Sequence, residues 1–396
     1  MHFDSTTEPG KSEAIKPRRG VAPELITALV VVWCPSEPHR VGEAALLFPE
    51  DTCSRKTLGR MGTVADERRL VLWRDRPSGR LATGPLRSRH ISREHLLLRL
   101  EPSGAVDIRN VGRCPMLIDG ETCTQAHLRP GQLVELHRRV LFLCVRRAAW
   151  PPYWARSAVA NHPFGRADAH GIVGEGRATW RLRGRIADTA RRPDPLLIAG
   201  YEGSGQDRVA QALHEQSSRH RHSLVHYQPG NPRRLTQALT RARGSTLYID
   251  DLFALTQGEQ LLLAEAAAAQ TRTGRDGRRP PRLLGSTASE VDTLPERVRA
   301  VFKTHLVVPG LHERLEDLPL MAQHVLQLQN PGTRRWRLSS ALITQLLHEE
   351  YLIDDQFEAF ERSLHQGIKR LGLTAPTTTS DLSTGVWSHT APPDEG

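Results

Sequence analysis

The stretch LLIAGYEGSGQDRVAQALH (196–214) decides the fold of the chain's second half. Four apolar residues of strand length run into a glycine-rich turn. A helical pattern then carries Val209, Ala210 and Leu213 on one face. Gly200 and Gly205 match the two glycines of GxxxxGK[ST], a loop whose backbone N–H groups cradle phosphates. Gln206 stands where that pattern has its Lys, and Asp207 where it has Ser or Thr. The cation that would reach the β- and γ-phosphates is therefore missing.

Working outward, short apolar strands (196–199, 246–249, 282–285) alternate with helical stretches (207–218, 258–270), the pattern of a parallel sheet covered by helices. GSTLYIDDLFAL (244–255) reads as a strand ending in two carboxylates, Asp250 and Asp251. Together these stretches resemble the AAA+ domain of sigma-54-dependent transcription activators. That family writes GE(S/T)GTGKE, vAxxIHxxS and GGTLFLDEI; this chain has GYEGSGQD, then Val209, Ala210, Leu213, His214 and Ser217, then GSTLYIDDL. RLLGSTASEV (282–291) is similar to the sensor strand, with Thr287 at its end, and LVVPGLHERLEDLPLMAQHVL (306–326) to LPPLRERxEDIPLLAxxFL. The resemblance implies ATP and Mg²⁺ as cofactors. Gly200, Gly203, Ser204, Gly205, Gln206 and Asp207 would form the nucleotide loop, Asp250 would hold the metal with Asp251 beside it, and Thr287 would be sensor-like. It also implies the sigma-54 polymerase as partner and a homo-oligomer.

Several departures accumulate. Only 18 residues separate Val225 from Gly244, too few for the family's insertion, and GAFTGA occurs nowhere. VRAVFKTH (298–305) replaces the finger-bearing FRxDLYYRL, with Arg297 and Arg299 out of pattern. LIDDQFEAF (352–360) replaces WPGNVREL, and no helix-turn-helix follows. The expectation is a pseudo-ATPase with no assured cofactor. Two alternatives stay open: glycines that merely close a tight strand-to-helix turn, and an ATP-dependent regulator that still binds nucleotide.

The first 150 residues have another texture. Strand-like segments (27–33, 96–100, 106–108, 140–145) are separated by Gly, Pro and Asp turns, an all-β pattern. LGR (58–60) precedes RSRHISREHLLLRL (87–100), which contains Ser92-Arg93-Glu94-His95, and DIRNVGRCPMLIDG (107–120) follows. This resembles the forkhead-associated (FHA) domain, a β-sandwich whose end loops read phosphothreonine, over about residues 25–147. The resemblance implies that Arg60 and Ser92 contact the phosphate, with Arg93 and Arg113 adding cations. It makes His95 the internal brace and Gly112 the turn, and its partner is a protein phosphorylated on threonine. A guanidinium fork and a hydroxyl suit phosphate oxygens. Arg60 and Ser92 lie 32 positions apart, with residues 60–86 as an apparent insertion, and Pro115 stands near the family's ligand-holding Asn. A sandwich kept only for docking is the plainer alternative.

The whole reads as a multidomain chain: an N-terminal all-β FHA sandwich, then an α/β P-loop AAA+ domain with a small helical lid. The expected boundaries are a disordered N-terminus (1–24), sandwich (25–147), linker (148–171), AAA+ domain (172–330), helical region (331–373) and disordered tail (374–396). The 396 residues carry a net charge of +10. The 54 basic residues include only five Lys, leaving 49 Arg. That excess suits phosphate or nucleic-acid partners and equally a biased genome. No apolar run approaches the ~20 residues of a membrane span, and the N-terminus lacks a signal-peptide core, so the cytoplasm is the expected location. Five Cys without CxxC spacing read as buried thiols. His214, His220, His222 and His226 read as a solvated patch rather than a metal site, and TRTGRDGRRPPR (271–282) as an exposed basic loop.

Overall fold

The computed structural model describes residues 25–63, 65–76, 79–149, 162–269, 279–329, 338–349 and 356–370. The expected disordered ends, the first part of the linker and most of the basic loop at 271–282 lie outside these residues.

Twelve strands build the N-terminal unit: β1 (Leu25–Trp33), β2 (Ala44–Leu47), β3 (Lys56–Leu58), β4 (Leu72–Arg76), β5 (Gly79–Gly84), β6 (Leu96–Leu100), β7 (Val106–Asn110), β8 (Met116–Ile118), β9 (Glu121–Cys123), β10 (Gln125–Leu128), β11 (Leu133–Leu136) and β12 (Val140–Ala148). Their pairing is antiparallel, in one sheet ordered β5-β4-β2-β1-β12-β11-β8-β9 and a second ordered β10-β7-β6-β3. Leu29, Val31, Leu47, Leu98, Ile108 and Phe142 fill the space between the sheets. The apparent insertion at 60–86 supplies the β4–β5 hairpin, which pairs through β2 and ends the larger sheet. β1 is apolar almost throughout because it is buried on both faces rather than one. Leu29 and Val31 face the second sheet, and Val32 belongs to a core shared with the C-terminal helices. Cys34 and Cys144 are buried as expected, whereas Cys114 and Cys123 are half-buried; none of these four is in a disulfide.

The second unit alternates helix and strand: α1 (Arg177–Ala190), β13 (Leu196–Ala199), α2 (Gln206–Glu215), β14 (Val225–Tyr227), α3 (Pro232–Arg241), β15 (Thr246–Ile249), α4 (Gln257–Ala268), β16 (Arg282–Thr287), α5 (Glu296–Val301) and β17 (Thr304–Val307). The five strands are parallel in the order β14-β15-β16-β13-β17. Three further helices follow: α6 (Leu318–Gln329), α7 (Ser340–His348) and α8 (Gln356–Arg370). None of the described helices is long and apolar enough to cross a membrane.

The expected linker ends in an ordered strap rather than a free tether. Arg183 on α1 donates to the carbonyls of Ile172 and Gly174 at 2.8 Å and to Asp168 at 2.9 Å, binding residues 168–174 to the helix. Nor are the two units independent. Val32, Leu133, Leu141 and Leu143 of the sandwich pack into one core with Leu311, Met321, Leu342 and Phe360, and the Trp33 indole donates to the Leu338 carbonyl at 2.7 Å. A buried charge cluster closes the junction. Arg147 meets Asp75 at 2.5 Å and Glu316 at 3.2 Å, and Arg177 meets Asp75 at 3.2 Å. Burial would raise the Asp75 carboxyl, but Arg147, Arg177 and Arg80 outweigh it and hold it at about 2. Breaking such a buried pair leaves an uncompensated charge, so the cluster holds the two units in register.

Candidate phosphate sites on two loops

On the sandwich, β3 ends at Leu58 and the chain turns through Gly59, where a Cβ would run into the Arg93 carbonyl. Only glycine allows this approach. The turn is fixed by the Arg60 N–H donating to the Ser92 carbonyl and the His95 N–H donating to the Leu58 carbonyl, both at 3.0 Å. His95 is fully buried and acts as a rivet. Its Nδ1 accepts from the Ser92 N–H at 2.9 Å, which leaves Nε2–H to donate to the Cys114 carbonyl at 3.1 Å. Burial lowers the His95 pKa, against the Cys114 hydrogen bond, and so favours this neutral tautomer. Gly112 is required because a Cβ there would strike the His95 ring.

The loops at 58–60, 92–95 and 110–114 thus converge. The Arg113 N–H donates to the Ser92 hydroxyl at 3.3 Å, placing the two residues side by side. Arg60, Arg93 and Arg113 are exposed, and among the described residues none meets a carboxylate. The nearest acid in the sequence, Glu94, is held by Arg69 at 2.6 Å. Exposed guanidiniums left without partners are what an anion would find. Asn110 was not singled out by sequence. Its side chain accepts from the Gly112 N–H at 3.0 Å and donates to the Cys114 carbonyl at 2.9 Å, shaping the turn. The signal was there, because Asn followed two residues later by Gly is an Asx-turn pattern.

The glycine-rich loop after β13 is arranged differently. Gly203 and Gly205 adopt φ of 72° and 90°, a region that penalises side chains. Gln206 opens α2, but its amide turns back, donating to the Gly200 carbonyl at 2.9 Å and approaching the Thr287 carbonyl at 3.4 Å. It occupies acceptors of the loop itself and presents no charge. The outer side of Gly203 is covered, since a Cβ there would lie 3.1 Å from Cβ of Phe357 on α8. Beside it, buried Gln356 accepts from the Leu311 N–H, fixing the start of the helix. Ser204 Oγ is buried without a hydrogen-bond partner.

Asp250, at the end of β15, is exposed and accepts from Ser286 Oγ at 3.0 Å. Burial raises the Asp207 carboxyl, and the Asp250 charge adds to the effect. Asp251 sits at φ 49° and accepts from the Phe253 N–H at 3.1 Å, so it caps a short 3-10 turn rather than facing a ligand. The Thr287 hydroxyl is engaged with the Ser289 backbone. Mg²⁺–ATP is the group implied by this loop type. The residues present fit it incompletely: Asp250 offers a metal ligand, but the loop has no cation and Phe357 of α8 lies on its glycine. No step is derived through it.

The four histidines are not one solvated patch, because His214 is buried. His214 bonds to Thr246 Oγ1 at 3.0 Å and to the His222 carbonyl at 2.6 Å, and His220 bonds to the Ser217 carbonyl. Among the described residues, Glu101, Asp107 and His127 are the group with metal-ligand spacing, but Arg99 already pairs with Asp107 at 2.5 Å.

Comparison with known proteins agrees with this geometry. The family described as Sigma-54 interaction domain matches residues 173–291, so this segment is a sigma-54 interaction domain of the AAA+ P-loop type. Curated relatives include the Response regulator protein PilR of Pseudomonas aeruginosa, 27% identical over 188 residues (39% of this chain, 42% of the relative). Another is the Transcriptional regulatory protein ZraR of Escherichia coli, 28% identical over 201 residues (42% and 45%). The chain thus spans less than half the length of these relatives. Among solved structures, NtrX from Brucella abortus in complex with ADP aligns at 22% identity and a TM-score of 0.44, covering 56% of this chain and 55% of that one. The N-terminal unit is an antiparallel β region.

Proposed function

We propose that the chain is a cytoplasmic regulatory protein whose β-sandwich is an FHA domain that binds a phosphothreonine on a partner protein, and whose sigma-54-activator-like module has lost ATP hydrolysis and serves as a scaffold. The observation that carries the reading is the loop cluster at one end of the sandwich. There the Ser92 N–H is held by buried His95, the Arg113 amide donates to the Ser92 hydroxyl, and Arg60, Arg93 and Arg113 on the same loops are exposed. In this reading Arg60 grips two phosphate oxygens and Ser92 donates to a third, with Arg93 and Arg113 adding charge. Rigid loops on a sandwich suit recognition because little ordering entropy is lost on binding. The amide of Gln206 turned onto its own loop supports the scaffold half. The connection to the sigma-54 polymerase rests on the matched family.

A second reading keeps an ATP-dependent sigma-54 regulator that still binds nucleotide. The unsatisfied Ser204 hydroxyl and the accessible Asp250 favour it. Two titrations decide. Fluorescence anisotropy with phosphothreonine peptides and their unphosphorylated twins should give phosphate-dependent binding that Arg60→Ala removes; equal binding of both would overturn the reader. Calorimetry with ATP on the wild type should give no heat of binding and no turnover. Hydrolysis that disappears in Asp250→Asn would establish the second reading instead.

A further inference from the structure

All strands of the β14-β15-β16-β13-β17 sheet are parallel, so each loop that joins a helix to the next strand lies at the same edge, opposite the edge with loop 200–205 and Asp250. These loops are rich in arginine: Arg191 and Arg192 before β13, Arg221 before β14, Arg243 before β15 and Arg279 before β16. Arg191, Arg192, Arg221 and Arg279 are exposed, and among the described residues none meets a carboxylate. Among the described residues the acids of this edge are Asp188, Asp194, Glu215 and Glu265, and Glu215 is already paired with His170 at 2.9 Å.

Two further arginines, neither of them exposed, fasten the loops to one another. Arg219 donates to the carbonyls of Ser245 and Pro280, both at 2.8 Å. Arg282, buried to 1%, donates to the carbonyls of Thr189 and Ala190 at the end of α1, at 2.7 and 2.9 Å. The Gly244 N–H also donates to the Arg279 carbonyl at 2.7 Å, and Ser245 Oγ to the Ser223 carbonyl at 2.7 Å. Loops far apart in sequence are thereby held as one row. Cations near helix C-termini are ordinarily explained by the helix dipole, which acts within the last turn. That account does not reach Arg221, six residues beyond α2, or Arg279, well beyond α4.

We propose that this arginine row at the N-terminal edge of the parallel sheet is a binding surface for the phosphate backbone of duplex DNA. The four adjacent strands that these loops precede, at about 4.8 Å spacing, give a row roughly 14 Å long. Along that length a duplex presents on the order of ten negative charges. The described residues of the four arginine-bearing loops include no Phe, Tyr or Trp to stack on unpaired bases, so a double strand fits better than a single one. Contacts of this kind position DNA without reading its sequence. The surface is distinct from the sandwich loops.

The test is anisotropy of a labelled mixed-sequence duplex of about 20 base pairs titrated with the full chain at several salt concentrations. The wild type should bind with an affinity that falls steeply with salt. Arg192→Gln, Arg221→Gln and Arg279→Gln together should reduce the log–log salt slope by about 2–3 and weaken binding on the order of 100-fold near physiological salt, with an unchanged melting temperature. Each single change should remove up to about 0.9 of slope. Arg60→Ala should leave DNA binding intact. The proposal is overturned if the duplex does not bind, if the triple variant binds with the same slope, or if phosphatidylserine vesicles bind through these arginines while the duplex does not.

Discussion

The chain carries two glycine-bearing loops that differ in charge and access. On the sandwich, glycines at 59 and 112 bring Arg60, Ser92 and Arg113 around a buried histidine, and the guanidiniums are exposed and unpaired. On the α/β module, glycines at 203 and 205 form the turn equally well, but the residue at the head of the helix is a neutral amide bonded to its own loop, under a helix of the lid. Glycine makes a cradle possible in both places. What separates them is where the cation stands and whether the mouth is covered. A backbone that fits phosphate is therefore weak grounds for function unless the charge and the access are present with it.

The comparison breaks first at the lid. Phe357 is nearly fully buried, so Phe357→Ala should cost about 3–5 kcal/mol of stability, read by denaturant unfolding. If closure as well as charge shuts the loop, Gln206→Lys alone should leave ATP unbound, whereas Gln206→Lys with Phe357→Gly, which also removes the Cβ that lies against Gly203, should bind it in calorimetry. Tight ATP binding by Gln206→Lys alone would show that the cation is the whole difference. Next comes the sandwich. Arg60→Ala removes a charge-assisted fork and should cost about 2–3 kcal/mol of phosphopeptide affinity, roughly 30- to 150-fold, with no change in melting temperature. A loss below threefold would leave the two loops alike in being inert.

The junction arginines form the contrast to Arg60, because they are buried and satisfied by Asp75 and Glu316. With the folded Asp75 carboxyl held at about 2 and the unfolded one near 3.9, the cluster contributes fully above about pH 4. It loses on the order of 2 kcal/mol as the pH falls toward 2. Melting temperatures followed from pH 5 to pH 2 should decline more steeply in the wild type than in Asp75→Asn. Equal slopes would mean that the cluster does not couple the two units.

Much of this organisation was legible in the sequence, for local reasons. The strands at 96–100, 196–199 and 246–249 lie where the apolar runs predict, because a run bounded by turn residues has few other ways to be buried. The glycines and His95 were legible because each satisfies a steric demand within a few residues. Distant partners were not. Nothing near Gly203 announces that Phe357, about 150 positions later, will lie on it, and nothing in the run 60–86 distinguishes an insertion from an edge hairpin. The start of the strap at 168–174 looked like a linker because its partner, Arg183, lies on the following helix. The row of arginines was scattered across loops that only a parallel sheet brings to one edge.

The smallest expected effect is also the most discriminating for the sandwich. Ser92 has two jobs in the structure, since its hydroxyl accepts from the Arg113 N–H at 3.3 Å while its N–H is held by His95. Ser92→Ala keeps the backbone bond and the fold but removes one donor to phosphate and the tie to Arg113. The expected loss is about 1 kcal/mol, roughly fivefold in phosphopeptide affinity, with stability changed little because the loop is partly exposed. Combined with Arg60→Ala, the two losses should be less than additive if both residues grip one phosphate, since neighbours on a shared ligand couple. Strict additivity would place Ser92 outside the phosphate's reach and leave Arg60 as a surface charge acting at a distance, which added salt would then erase.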